Sequence, residues 1–256
     1  NVVTYCTEAP PGMRQPFLRE HTKRNDFMVE QTLEQFANYP QEFNEFLDWF
    51  IDLPLFLEFD HFRVVHACWD QAMIDEYIAR YGGNQLTRDM LPESINTDSF
   101  IYRFLDRMLR GTSLKLPDGR TMTAKDGMKR QFFRTKFWAD QPERYNEVVF
   151  QPDPIPEDLQ HALLSEDEKK QLLYYGPEEK PLFIGHYWMA GLPAPIVPCH
   201  LYFIVAAPQC QARVVAQPLD VVCHLFLYVL NKRAVTRVHA AGKHKILPNQ
   251  NSFLIT

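Results

Sequence analysis

Two histidines follow short apolar runs and could act as metal ligands. His66 ends the run 62–66, and His186 ends the run 181–186. An imidazole placed where a strand leaves the sheet can point into the crevice in which open α/β sheets bind ligands. We therefore predict that separate strands bring His66 and His186 together on one shared cation. The alternative is a pair of partly buried histidines whose ring nitrogens are satisfied by carbonyl groups.

Basic side chains lie between the two histidines in sequence and could bind an anion. If residues 130–138 form one strand, Arg130, Arg134 and Lys136 share one face by the two-residue period of a strand. A phosphate dianion is matched by the forked donors of a guanidinium group. We predict that Arg134 binds phosphate. The alternative is a strand face that is simply solvated.

Further candidates for substrate contact are aromatic or basic. Trp69, Tyr187 and Trp188 adjoin the two histidines and could stack on a nucleobase, or they could fill the core, as large aromatics at strand-to-helix turns usually do. Arg19 and His21 form a second, weaker pair of candidates for contact with a substrate.

The elements that must position these residues alternate between helices and strands. Helical spacing of apolar residues predicts helices over 27–36, from Pro40 to 50, from Asp70 to Gly82, and from 98 to Gly111. A capping box at Ser165 predicts another helix that ends at Gly176. Alternating or continuous apolar runs predict strands over 53–59, 62–66, 130–138 and 181–184, and a hairpin over 114–123. This order favours α/β layers with chemistry at strand ends.

Two stretches resemble the calcineurin-like metallophosphoesterases. The stretch 53–70, L-P-L-F-L-E-F-D-H-F-R-V-V-H-A-C-W-D, and the stretch 181–195, P-L-F-I-G-H-Y-W-M-A-G-L-P-A-P, are similar to bacterial members related to diadenosine tetraphosphatase and the serine/threonine protein phosphatases. The resemblance extends more loosely over 1–198, including L-R-E-H-T at 18–22 and K-L-P-D-G at 115–119.

The resemblance implies a two-metal hydrolase. His66 matches the family's lone histidine after a strand, and Gly185-His186 matches its final G-H pair, whose usual second histidine is replaced here by Trp188. Both histidines would ligate the second of two divalent ions, which could be Mn, Fe, Zn or Ni. The family's D-x-H, G-D-x-x-D and G-N-H-E motifs, with the acid histidine, are expected upstream of Asn1. The implied fold is a layered α-β-β-α sandwich, truncated on its amino-terminal side.

Composition limits the possible partners. The formal charge of −5 gives no general attraction to nucleic acid or anionic lipid. The longest apolar run, near 221–230, is shorter than the roughly 20 residues that span a membrane. Five dispersed cysteines without C-x-x-C spacing favour a reducing compartment, and hence the cytoplasm. We expect a phosphate-ester or nucleotide substrate; the sequence gives no sign of an oligomeric state.

The composition changes after Pro198. From Cys199 onward basic residues prevail, Asp220 is the sole acid, and Cys and His are frequent. We predict a metallophosphoesterase domain over 1–198 and an atypical tail over 199–256 that does not continue the family's sheet, either out of frame or divergent. The expected activity is phosphate-ester hydrolysis by the full-length parent, the fragment itself being inactive. The alternative is a non-catalytic fragment or pseudoenzyme that serves as a binding module.

Overall fold

Helices and short strands alternate in the computed structural model, which describes residues 1–123, 127–150 and 155–187, with the backbone of 201–203. The helices are α1 (Val2–Cys6), α2 (Lys23–Phe36), α3 (Pro40–Ile51), α4 (Gln71–Tyr81), α5 (Phe100–Arg110), α6 (Tyr145–Val148), α7 (Glu157–Gln160) and α8 (Glu166–Lys169). The strands are β1 (Phe56–Glu58), β2 (Arg63–Val65), β3 (Ser113–Lys115), β4 (Met122–Thr123), β5 (Lys129–Arg130), β6 (Phe132–Arg134), β7 (Leu182–Ile184) and β8 (Leu201–Phe203). The chain is therefore of the general α/β class.

A four-stranded sheet, in the order β1-β2-β7-β8, carries the candidate site. β1 and β2 form the antiparallel hairpin predicted around Asp60-His61, whereas β2, β7 and β8 run parallel. The register pairs Arg63 with Leu182 and Val64 with Phe183. Since β2 and β7 run in the same direction and in step, the residues that follow them emerge at the same edge of the sheet.

Local signals set the ends of α4 and α5; both ends of α4 and the stop of α5 at Gly111 were predicted, whereas the start of α5 was expected at 98. The Asp70 side chain accepts a hydrogen bond from the Met73 amide at the start of α4, and Gly82 ends that helix in the left-handed region at φ 72° and ψ 20°. The Ser99 hydroxyl caps α5, and Gly111 ends it at φ 85° and ψ −149°. The capping box at Ser165 is present, but α8 ends at Lys169, well before the predicted stop.

Helices α4 and α5 pack against one face of the sheet. The main core joins apolar residues of the sheet, the two helices and the segment after β6, and it includes Phe56, Val65, Tyr77, Phe104, Met108, Phe137, Leu182 and Tyr187. Their burial provides most of the apolar stabilisation of this layer. A second cluster lies between β3, β6 and the region of α6 to α8, and it includes Leu114, Phe133, Tyr145, Val148 and Leu164.

Two strand predictions are wrong. The segment 114–123 is not one hairpin, because β3 pairs with β6 and β4 pairs with β5. The segment 130–138 is not one strand, because the chain changes partner at Gln131, whose carbonyl accepts the Leu116 amide. Phe133 and Phe137 are both buried, but in different places: Phe133 belongs to the second cluster and Phe137 to the main core.

Residues 201–203 continue the sheet, contrary to the expectation that nothing after Pro198 does so. β8 pairs in parallel with β7, and residues Asn1–Phe203 belong to one compact unit. The predicted boundary at 198/199 and the remainder of the predicted tail lie outside the described residues and stay predictions. Among the helices of the described ranges, none is both long and apolar enough to cross a membrane.

Candidate phosphate and metal site

The two histidines of the sequence analysis lie side by side at the end of the central sheet. His66 follows β2 directly, and His186 follows β7 after one glycine. The His66 carbonyl accepts hydrogen bonds from the Gly185 amide at 2.9 Å and from the His186 amide at 2.8 Å. The ring centroids are 5.1 Å apart at an interplanar angle of 51°. The parallel strands and these two main-chain bonds therefore hold the rings together.

Arg134 adjoins the same pair of rings. Its Nη2 lies 2.7 Å from Nε2 of His186, and its guanidinium carbon is 5.2 Å from the centre of the Tyr187 ring. A guanidinium group has donors only, so Nε2 must accept through its lone pair and the single proton of a neutral His186 must sit on Nδ1. In this arrangement the only free lone pair of the His186 ring is already used.

The strand pairing places Arg134. In the β3–β6 ladder Arg134 stands opposite Ser113, and its carbonyl accepts the Phe150 amide on the other side at 2.8 Å. Next to it, the buried Thr135 hydroxyl donates to the Thr112 hydroxyl at 2.6 Å, which in turn donates to the Thr135 carbonyl. Bonds on both edges and this hydroxyl pair fix the backbone from which Arg134 projects.

Both imidazoles are neutral near pH 7. Burial of the ring, followed by the neighbouring Arg134, His66 and Arg110 side chains, lowers the pKa of His186 to about 3. The side chain of His66 is exposed, yet the protein around its ring removes part of its hydration, and this together with the Arg134 charge lowers its pKa. Neutral imidazole is the form that binds metal ions.

The positive charges around His186 also include one that the sequence analysis did not single out. Arg110, the last residue of α5, is close enough for its charge to lower the pKa of His186. In the sequence it is an ordinary exposed helix residue with Asp106 four positions before it. Only the packing of α5 against the sheet brings it to the site, so no local signal could have found it.

The aromatic candidates that the structure describes are packed in the core. Trp69 and Tyr187 are each 2% exposed. The Trp69 indole donates to Gln71 at 2.9 Å, and the Tyr187 hydroxyl accepts the Thr112 amide at 3.2 Å. Neither ring has a face open for a nucleobase, so the packing alternative holds for both. Trp188 lies outside the described residues.

Of the weaker pair of candidates, His21 is committed elsewhere and Arg19 is not. The His21 ring stacks between Tyr5 and Phe17, with centroids 3.8 Å and 4.4 Å away, and its Nε2 is 3.0 Å from the Tyr5 carbonyl. Arg19 donates from Nε to the Thr4 hydroxyl at 3.2 Å and is half-buried. His21 thus holds α1 in place, whereas Arg19 still has donors to offer.

Arg130 and Lys136 are not aligned with Arg134 along one strand. Arg130 belongs to the exposed β5, because the chain changes partner before β6. Lys136 donates from Nζ to the Glu147 carbonyl at 3.2 Å. Of the three basic residues that one continuous strand would have aligned, only Arg134 makes the contact with His186.

Two neutral imidazoles fit part of a metal ligand set. Nitrogen donors of this kind suit Zn, Fe, Mn or Ni, which in proteins take four or more ligands. Over the described ranges no group of three or more His, Cys, Asp or Glu side chains stands close enough to hold a metal ion. His66 and His186 therefore supply two donors, and a complete site would need further ligands from other residues.

Comparison of the chain with protein-family models, with curated proteins and with solved structures finds no match.

Proposed function

We propose that this chain forms the carboxyl-side part of a two-metal phosphoesterase of the calcineurin-like class. The observation that carries the proposal is the meeting of His66, His186 and Arg134 at the end of two parallel strands. Neutral nitrogen ligands for a metal ion and a guanidinium group for a phosphate are groups that a metal-assisted attack on a phosphate ester can use. In this proposal the four-stranded sheet, with α4 and α5 on one face, is one layer of an α-β-β-α sandwich.

The proposed chemistry assigns separate roles to these side chains. When bound, two divalent ions would supply a hydroxide for attack on phosphorus and would neutralise charge on the leaving oxygen. His66 and His186 would hold one of the two ions, with the remaining ligands expected upstream of Asn1. Arg134 would donate to the phosphoryl oxygens, orient the ester and stabilise the charge that builds up on them.

The contact between Arg134 and His186 bears on how these roles combine. A neutral imidazole has one ring lone pair, and in this structure that lone pair accepts from Arg134. The hydrogen bond from Arg134 must break before a nitrogen of His186 can coordinate a metal ion. A phosphate oxygen would then offer the guanidinium group a better, charged acceptor.

Metal binding by the 256-residue chain tests the ligand assignment. We expect the histidine pair to bind Zn²⁺ or Co²⁺ weakly, and the His66→Ala and His186→Ala variants to lose that binding, as measured by calorimetry and by the Co²⁺ absorption spectrum. His61→Ala is the control, because His61 is an exposed histidine in the β1–β2 turn, at the other end of the same strand. Equal metal affinity in all three variants would refute the assignment.

Hydrolysis tests the activity itself. In a chain that also carries the three upstream motifs, we expect Mn²⁺-dependent hydrolysis of p-nitrophenyl phosphate that the His66→Ala, His186→Ala double variant loses by about a hundredfold or more. Equal hydrolysis with and without the two substitutions would exclude these residues from the reaction. No hydrolysis by either protein would favour the alternative, a non-catalytic binding module.

A further inference from the structure

The ladder of β3 and β6 has one buried face and one open face. Leu114 and Phe133 stand opposite each other and are both 1% exposed, so they belong to the buried face. Since successive side chains of a strand point to opposite faces, the open face carries the alternate residues, Ser113, Lys115, Phe132 and Arg134. From this face Arg134 reaches His186 at 2.7 Å. The open face therefore leads directly to the candidate site.

The hydrogen bonds of the ladder decide which side chains adjoin each other on the open face. The Leu116 amide donates to the Gln131 carbonyl, and this pair directly follows the pair of Lys115 and Phe132. In an antiparallel ladder, hydrogen-bonded and non-hydrogen-bonded pairs alternate, and side chains approach most closely in the non-hydrogen-bonded pairs. Lys115 and Phe132 form a pair of this second kind, so their side chains are neighbours on the open face.

Phe132 differs from the other large apolar residues of the strands. It is 54% exposed, whereas every other large apolar residue in the strands whose side chains the structure describes is buried or half-buried. Phe132 and Arg134 are two residues apart along one strand, so their Cα atoms are about 7 Å from each other. An aromatic surface thus stands in water beside the arginine that contacts the histidine pair. Covering such a surface with an apolar group is favourable.

We propose that Phe132 is a specificity-determining residue, which packs against the alcohol part of the ester and favours aryl phosphates, in which an aromatic ring is bonded directly to the ester oxygen. This inference rests on the proposed function, because it assumes that the phosphate group lies at Arg134. With the phosphate there, the ring of an aryl ester begins one oxygen atom from phosphorus and can lie over the neighbouring side chain of the same face.

The groups of the open face fit a plain ring better than the other alcohol parts of phosphate esters. A serine or threonine ester brings only a small aliphatic group, which covers little of the Phe132 ring. A nucleobase has polar edges that need both donors and acceptors, whereas the neighbouring Lys115 offers donors alone. An aromatic ring stacks through its face and leaves no polar edge unsatisfied.

The chain offers a matched control for Phe132. Phe27, in α2, is also an exposed phenylalanine, with 80% of its surface in water. Phe27→Ala therefore removes the same side chain from the surface at a place outside the candidate site. Thermal unfolding of Phe27→Ala and Phe132→Ala shows whether either substitution affects the fold, and separates such an effect from a change in binding.

The experiment measures the binding of methyl phosphate, phenyl phosphate and adenosine monophosphate to the 256-residue chain by phosphorus NMR, with EDTA to remove metal ions. We expect the unaltered chain to bind phenyl phosphate more tightly than methyl phosphate. Phe132→Ala should weaken phenyl phosphate binding about three- to tenfold and change methyl phosphate binding less than about twofold. Phe132→Tyr, which keeps the ring, should retain the affinity for phenyl phosphate, and Phe27→Ala should change neither affinity.

Equal phenyl phosphate affinity in the Phe132→Ala and Phe27→Ala variants would overturn the inference. An equal loss for methyl phosphate and phenyl phosphate in Phe132→Ala would overturn it as well, because Phe132 would then act on the phosphate group. A larger loss for adenosine monophosphate than for phenyl phosphate would overturn the choice of an aryl ester.

Arg134→Gln distinguishes these failures from failure of the proposed function. We expect it to weaken methyl phosphate and phenyl phosphate to the same extent, since both esters share the phosphate group. If it does so while Phe132→Ala weakens neither, the phosphate contact of the proposed function stands and Phe132 has no part in specificity. If Arg134→Gln weakens neither ester, the assumed position of the phosphate is wrong, and the inference fails with the proposed function.

Discussion

Replacing Gly111 by alanine should impose two costs at the end of α5, and comparison with a second glycine separates them. Gly111 has φ 85° and ψ −149°, a conformation that is essentially confined to glycine. A Cβ atom there would also lie 2.3 Å from the hydroxyl oxygen and 2.9 Å from Cζ of Tyr187, which is buried and cannot swing away. The substitution therefore introduces backbone strain and a steric clash together.

Gly82→Ala provides the reference for strain alone. Gly82 also ends a helix at positive φ, 72°, but a Cβ atom on it would meet nothing within 4 Å. Left-handed alanine costs about 1–2 kcal/mol. For Gly111→Ala we expect about 1–3 kcal/mol of backbone strain and a further 1–3 kcal/mol from overpacking. In a unit of this size, about 4 kcal/mol corresponds to a melting temperature lower by about 8–16 °C.

The assay is urea unfolding of both variants, followed by circular dichroism and by tryptophan fluorescence. We expect Gly111→Ala to be more destabilising than Gly82→Ala by about 2 kcal/mol or more. Adding Tyr187→Phe should recover part of the difference, since it removes the closest atom of the clash. A Gly111→Ala variant as stable as Gly82→Ala would refute the close packing of α5 against Tyr187.

Three further substitutions or reactions test other contacts. Arg134→Ala should strengthen Zn²⁺ binding to the histidine pair about tenfold in calorimetry, because it frees the lone pair of the His186 ring and removes a positive charge that repels the ion. Weaker Zn²⁺ binding would contradict the contact between Arg134 and His186. Thr112→Val should lower the free energy of unfolding by about 1–2 kcal/mol, more than Thr135→Val, because only Thr112→Val leaves a buried hydroxyl donor, that of Thr135, without its acceptor. Equal effects of the two substitutions in chemical denaturation would exclude this direction of the hydrogen bond. Burial raises the pKa of the Cys68 thiol, so alkylation of the folded chain should label Cys68 far more slowly than the half-exposed Cys6. Peptide mapping measures the two rates, and similar rates would show that Cys68 is accessible.

The parts of the fold that the sequence predicted correctly are those set by local chemistry. Helix α4 begins at a capping aspartate and ends at a left-handed glycine, and both signals stand within one turn of the helix they bound. The end of α5 at Gly111 follows in the same way. Such positions can be identified from neighbouring residues alone, because the groups they satisfy are the free amides and carbonyls of the helix ends.

The partners of the short strands could not be predicted in this way. The turn Pro117-Asp118-Gly119 suggested that the flanking segments pair with each other, yet each takes a partner from the following region instead. Two- and three-residue strands carry almost no periodic signal, and their pairing is decided by which apolar side chains reach the second core cluster. The exchange of partners at Gln131 is therefore a property of the tertiary fold.

The candidate site was predictable only where a strand led directly into it. His66 and His186 are one and two residues beyond strands, so their placement at one edge follows from the parallel order of the sheet. Arg134 required the pairing of β6 with β3, and Arg110 required the docking of α5. Their chemistry was visible in the sequence, but their distance from the histidines depended on contacts between elements far apart in the chain.

The double hydrogen bond to the carbonyl oxygen of His66 has a practical consequence for mutagenesis. That oxygen belongs to the main chain and is present whichever amino acid occupies position 66. Exchanging this side chain therefore alters the donors offered to a ligand and leaves the spacing of the two loops intact. A loss of metal binding in such a variant would therefore be due to the missing imidazole, with little contribution from a displaced backbone.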